Sequence, residues 1–137
     1  MPMIYTGQMS GNHHRLQFFE KDVIDRVENA PQHALYKNLN AFRKANKAIW
    51  SNEIGAAMER LNCDNENIFA CVRHKVCPKG GENTVVALMN MSNEEQTFTV
   101  EMNDYAGSYQ CICDKMVEIS PSYTITLAPW SYQLLAK

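Results

Sequence analysis

The sequence predicts a mainly β chain: an antiparallel β-sandwich preceded by a loop and one amphipathic α-helix. Three observations predict it. From about residue 57 onward, apolar residues recur with period two. Phe98, Val100 and Met102 fall on one side of a strand, and Thr97, Thr99 and Glu101 on the other. Before that, Leu35, Leu39, Phe42 and Ile49 recur at helical spacing and form a single apolar stripe. Between the two regions, at Ser51 to Gly55, the chain changes character, which predicts one unit over 1–52 and a second over 53–137.

Taken in order, Met3-Ile4-Tyr5 is a short apolar, β-prone run, and Thr6-Gly7-Gln8 reads as the turn that ends it. Gly7 to Asn29 reads as loop, with one aromatic pair, Phe18-Phe19. Asn29 and Pro31 mark a helix start, since proline is tolerated in the first turn, and the helix is predicted over 32–49. Lys37, Arg43, Lys44 and Lys47 gather toward its C-terminal half, where positive charge suits the helix dipole.

Strands are predicted over 57–62, 68–73, 84–91, 97–102, 109–113, 123–127 and 130–135. Turns fall at Lys79-Gly80-Gly81, Ser92-Asn93 and Asn103-Asp104. The run Val85-Val86-Ala87-Leu88-Met89 does not alternate. A strand apolar on both sides needs two covers, one being the partner sheet; the helix at 32–49 is the expected second.

Composition excludes several function classes. The 137 residues are 45% hydrophobic and 20% charged, globular values that do not fit a disordered tail. A net charge of −2 with no dense Lys/Arg cluster argues against a nucleic-acid surface. No apolar run approaches the ~20 residues that span a bilayer, and the N-terminus has neither the basic start nor the apolar length of a signal peptide, so a soluble chain is expected. Cysteine usage and targeting signals leave the compartment unassigned.

Cys63, Cys71, Cys77, Cys111 and Cys113 are an odd set with irregular spacing and no CxxC pair, unlike a disulfide-stapled domain. Core filling is the expected role, with Cys111 and Cys113 placed on one face of a strand and a metal or redox role the lesser alternative. His13-His14 does not make a metal site, since adjacent histidines rarely point at one ion, so no metal or cofactor is expected.

The first part also carries a family likeness. "PMIYTGQ", followed by "RLQFFEKDVID" and "LYKNLNAFRKANKAI", resembles the end of the catalytic barrel in the alpha-amylase family of glycoside hydrolases. There the eighth barrel strand reads like Pro2 to Gln8, and the closing helix carries a pattern like Tyr36-Lys37, Leu39, Arg43-Lys44, Asn46 and Ala48. The resemblance implies that the C-terminal part is that family's antiparallel β-sandwich domain, and that residues 1–52 are left over from a (β/α)₈ barrel. A closed barrel needs ~250 residues, so the chain is expected to be a tail fragment. One departure touches the barrel mouth: Met9 stands where the family usually has an acidic residue after the Gly-Gln pair.

The chemistry that the resemblance implies lies elsewhere. Retaining glycoside hydrolysis needs two carboxylates ~5 Å apart, and the resemblance implies that these, with a third acid that assists, sit on the fourth, fifth and seventh barrel strands, before Met1. Glu20, Asp22 and Asp25 have the spacing of ordinary solvated acids. No catalytic residue and no hydrolase activity are therefore expected of this chain, which would stabilise the barrel of an enzyme acting on alpha-glucans. The alternative is a carbohydrate-binding module for starch-like glucan. Its sugar-stacking candidates are Tyr105, expected to be exposed in a turn, and Trp130, for which a packed structural role is the favoured reading because tryptophan is highly buried on average. The expected partners are the missing barrel, alpha-glucan, and a second copy of the chain through the apolar remnant.

Overall fold

The computed structural model describes residues 3–25, 27–28, 30–78 and 80–137. The chain divides into two compact units, residues 1–43 and 44–137.

In the first unit, Met3, Ile4 and Tyr5 join no sheet and are exposed, so the expected strand is not formed. A lone β-prone tripeptide has no ladder of its own to satisfy its N–H and C=O groups, and propensity without a pairing strand does not suffice. Pro2, the other half of that motif, lies outside the described residues, as does the helix-start signal at Asn29. A short 3-10 turn, Gln8–Ser10, follows between Gly7 (φ 85°) and Gly11 (φ 66°), both left-handed. The loop after it is tied by Asp22. One carboxylate oxygen takes bonds from His14 Nε2 and the Gln17 N–H, both at 2.9 Å, and the other accepts the Val23 N–H. The His14 hydrogen bond and then the Gln17 N–H hold the Asp22 carboxyl below the usual carboxylate range. Asp22 thus does more than the solvated acid that its spacing suggested. Helix α1, Pro31–Ala45, follows and runs past the unit's last residue, Arg43; its first residue is the proline expected there.

The second unit is the sandwich. Its strands are β1 Glu59–Arg60, β2 Ile68–Val76, β3 Glu82–Asn90, β4 Gln96–Glu101, β5 Gly107–Cys111, β6 Met116–Ile119, β7 Ser122–Leu127 and β8 Tyr132–Ala136. One sheet runs β1-β2-β3-β8-β5-β6 and the other is β4-β7; every pairing is antiparallel. The chain after β1 crosses from one sheet to the other. Leu61 N–H bonds Ala70 O in the large sheet, while Asn62 O accepts Glu101 N–H and Cys63 bridges Val100 in the small one.

The alternation seen in the sequence is the core. Phe98, Val100 and Leu127 from the small sheet meet Ile68, Ala70, Val72, Val86, Leu88, Tyr109 and Leu135 from the large one, and Met102 joins them. On the other face of the large sheet, Cys71, Val85 and Ala87 are buried as well, as the unbroken apolar run of β3 requires. Within this unit the cover over β2 and β3 is a 3-10 turn, Lys47–Ile49, whose Ala48 is fully buried. The predicted helix over 32–49 therefore stops at Ala45, and Ile49 belongs to that turn, not to a helical stripe. Asn83 fixes it from β3: its Oδ1 accepts the Ala48 N–H at 2.8 Å and its Nδ2 donates to Asn46 Oδ1 at 3.0 Å. Trp50, half-buried, follows the turn, and a Cβ on Gly55 would collide with the Trp50 carbonyl oxygen, so glycine is required there.

Three strand expectations change. The stretch 57–62 keeps only two paired residues, because the chain leaves for the other sheet at Leu61. The last strand starts at Tyr132, since Pro129 and Trp130 occupy a turn closed by Ser131 N–H to Ala128 O. Cys113 is not in β5 but in the turn after it, where Asp114 adopts φ 61°. That turn hides β6, whose Val117 and Ile119 carry a period-two signal only four residues long.

Candidate functional site

A polar concavity of the second unit lies where the chain crosses between the sheets. It is a cleft of about 640 Å³, and its walls include Glu59, Asn62, His74, Glu101 and Tyr105. Each is placed by backbone already described: Glu59 by β1, Asn62 by the crossing, His74 by the outer half of β2, and Glu101 by the end of β4. Tyr105 ends the 3-10 turn Asn103–Tyr105, which begins on the positive-φ Asn103.

Hydrogen bonds fix most of these groups. Tyr105 OH donates to Glu59 Oε2 at 3.0 Å, and Asn62 Nδ2 donates to Glu101 Oε2 at 3.0 Å. His74 Nδ1 pairs with Thr84 Oγ1 at 2.9 Å, and its ring lies 5.9 Å from that of Tyr105, tilted by 49°. Behind them, Lys137 Nζ donates to the carbonyls of Tyr105 and Ala106 and stands 4.7 Å above the Tyr109 ring. The fully buried Tyr109 donates its hydroxyl to Tyr105 O at 2.6 Å.

The electrostatics keep both phenols protonated. The hydrogen bond to Glu59 raises the Tyr105 pKa, with burial and the charges of Glu59 and Asp104 adding to it. Burial, and secondarily Tyr105, pushes Tyr109 up to about 12. A folded pKa above the unfolded value means that Tyr109 contributes stability in full below pH ~10. That contribution is lost as pH rises from there through about 12. In an alkaline absorbance titration, Tyr109→Phe should remove a component that titrates at about 12. A folded protein whose titration curve is unchanged by Tyr109→Phe in that range would contradict this.

Such a cleft offers carboxylate oxygens, an imidazole and an amide to a polyhydroxylated ligand. Among the described residues no group of three or more His, Cys, Asp or Glu side chains could hold a metal ion.

The two sugar-stacking candidates are not brought together. Tyr105, expected to be exposed, is half-buried and packed against the core, because its hydroxyl is held by Glu59 and its carbonyl by Lys137 and Tyr109. Trp130, for which packing is the favoured expectation, is instead 66% exposed, held in its turn at φ 54° with its N–H on Ser92 O. Lys137, whose side chain reaches the Tyr105 carbonyl, and Trp130 flank opposite ends of β8. The sequence reading missed Glu59, Asn62, His74 and Glu101 as neighbours, since no local spacing joins a β1 residue to the end of β4.

No protein-family model and no curated protein matches the chain. Solved structures do. A noncanonic maltogenic alpha-amylase, AmyB from Thermotoga neapolitana, is similar over 99% of this chain with a TM-score of 0.77 at 15% identity. AmyP in complex with maltose is similar over 83% of the chain with a TM-score of 0.60 at 18% identity. A variant of AmyP in complex with maltotriose gives 0.59 over the same share at 21% identity. At such identities the likeness is one of fold, and it falls on the family that the barrel-end motifs resemble. The chain spans 32% of the AmyB chain and 23% of the AmyP chains. No helix among the described residues is long and apolar enough to cross a membrane.

Proposed function

We propose that this chain is the non-catalytic C-terminal portion of an alpha-amylase-like glycoside hydrolase acting on alpha-glucans, and that it stabilises the catalytic barrel of that enzyme. Residues 1–52 belong by motif to the barrel end and 53–137 to the sandwich; the turn at Lys47–Ile49 is the piece of the former that packs on β2 and β3. The observation that carries the reading is the imbalance between the two units. Among the described residues of 3–43, Ala30 alone is buried, while Met3, Tyr5, Phe18, Phe19 and Val23 are all more than 60% exposed. The sandwich buries a full core of its own. Apolar residues in such density on a surface mark an interaction site, and the resemblance supplies its natural occupant, the preceding strands and helices of a barrel. The carboxylate pair of a retaining hydrolase would sit on those strands, outside this chain.

Amide hydrogen exchange on the purified chain, run at low micromolar concentration, tests the reading. The amides of β2, β3 and β8 should be strongly protected, those of 3–25 exchange at nearly unprotected rates, and incubation with soluble starch release no reducing ends. Protection of 3–25 equal to that of the sandwich would show that the segment needs no barrel. Starch hydrolysis by the chain would refute the non-catalytic assignment.

A glucan-binding role for the sandwich is the second reading, favoured by the polar cleft at Tyr105 and by the exposed indole of Trp130. Calorimetric titration with a maltoheptaose-like oligosaccharide separates the two. Saturable heat lost on Tyr105→Ala or Trp130→Ala supports binding, and no heat at millimolar sugar leaves the stabilising role.

A further inference from the structure

The turn between β5 and β6 holds two of the free cysteines. Cys111 ends β5 and is buried, whereas Cys113, two residues on, is exposed. A strand would have set the two side chains parallel on one face. The chain instead folds back at this point: Asp114 N–H bonds Cys111 O at 2.9 Å, Cys111 N–H bonds Lys115 O at 2.7 Å, and Asp114 takes the left-handed conformation. The fold-back brings the Cys113 thiol to 2.7 Å from Cys111 Sγ, which also faces the Cys113 N–H at 3.4 Å.

We propose that Cys111 and Cys113 are a dithiol site that low-molecular-weight disulfides oxidise to an intramolecular disulfide. Residues two apart have Cα atoms at most about 7 Å apart even when extended, and a turn shortens that into the range a disulfide spans. The sulfurs need close by only ~0.7 Å to reach bonding distance.

The two cysteines have separate parts. The hydrogen bond from Cys111 is the main influence that lowers the Cys113 pKa, with Lys115 assisting, whereas burial raises that of Cys111. Cys113 is thus the accessible nucleophile and Cys111 the resolving thiol. The Cys113 thiolate attacks one sulfur of the small disulfide, forming a mixed disulfide and releasing one thiolate. Cys111, giving its proton to solvent, then attacks Cys113 Sγ and releases the second. Two thiol protons leave, and two electrons reduce the small disulfide to two thiols. Elsewhere, burial raises Cys71 and Cys63 and makes them poor nucleophiles.

The test equilibrates the whole chain in glutathione buffers of stepwise rising oxidised fraction. Free thiols are then trapped with N-ethylmaleimide under denaturing conditions and the peptides weighed. The peptide holding Cys111 and Cys113 should lose two hydrogens and take no maleimide, with Cys63 and Cys71 still labelled. In Cys111→Ser, a glutathione adduct should accumulate at Cys113 and remain. In the unaltered chain, a lasting adduct at Cys113 without loss of two hydrogens would overturn the proposal. Maleimide labelling of both cysteines across the whole series would overturn it equally.

Discussion

Asn90→Leu should destabilise the sandwich by about 3–5 kcal/mol, at roughly 1 kcal/mol for each hydrogen bond removed. Asn90 is 1% exposed at the end of β3, and its amide binds in several directions at once. Nδ2 donates to the carbonyls of Glu94, Ala128 and Leu127, and Oδ1 accepts from the Ser92 N–H and Ser92 Oγ. One side chain thereby fastens the β3–β4 turn and the end of β7 to the large sheet. Leucine shares the branched shape but is the larger side chain, so the substitution removes the polar links and crowds a site that is fully buried. Urea unfolding followed by near-UV circular dichroism measures the loss; a change under about 1 kcal/mol would mean that packing alone holds the sheets together there.

Phe98→Ala should cost a comparable amount, about 3–5 kcal/mol, by a different route. Phe98 is 2% exposed in β4, one of only two strands in the smaller sheet, and it faces the large sheet across the core. Removing its ring forfeits the transfer free energy and leaves a cavity that the hydrogen-bonded pair of Phe98 with Ile125 keeps from collapsing. Phe98→Leu should recover most of the loss, since it refills much of the volume. The pair of variants separates the two causes: equal losses for alanine and leucine would mean that ring shape, not burial, is what matters.

Much of this architecture was legible in the sequence because it rests on period two. Phe98, Val100 and Met102 announced a buried face, and β3 announced burial on both sides through its unbroken run. What the pattern could not show was pairing. Met3-Ile4-Tyr5 has strand propensity and no partner, so it stays out of both sheets. Cys111 and Cys113 looked like one face of a strand because alternation cannot reveal where a chain turns. The cleft was hidden for a related reason. Tyr105 OH meets Glu59 only because β1 and the turn after β4 lie side by side, a contact between residues 46 apart in sequence. Asp22 looked like a solvated acid because nothing local marks the three groups that converge on it.

The position of β8 bears on how the protein is made. Strand β8 is not at an edge: it lies between β3 and β5, and Lys137 just beyond it exchanges two backbone hydrogen bonds with Thr84. The hairpin of β2 with β3 and that of β5 with β6 can each form as soon as its own residues are available. Neither can join the other until β8 arrives to link them. Domains generally fold as units during synthesis, and here the central seam of the large sheet depends on a strand made after all the strands it joins. Until β8 is free to pair, the nascent chain exposes the open sides of two separate hairpins. A chain cut after Ser131 would lack the seam, and the residues before it could not close the sheet.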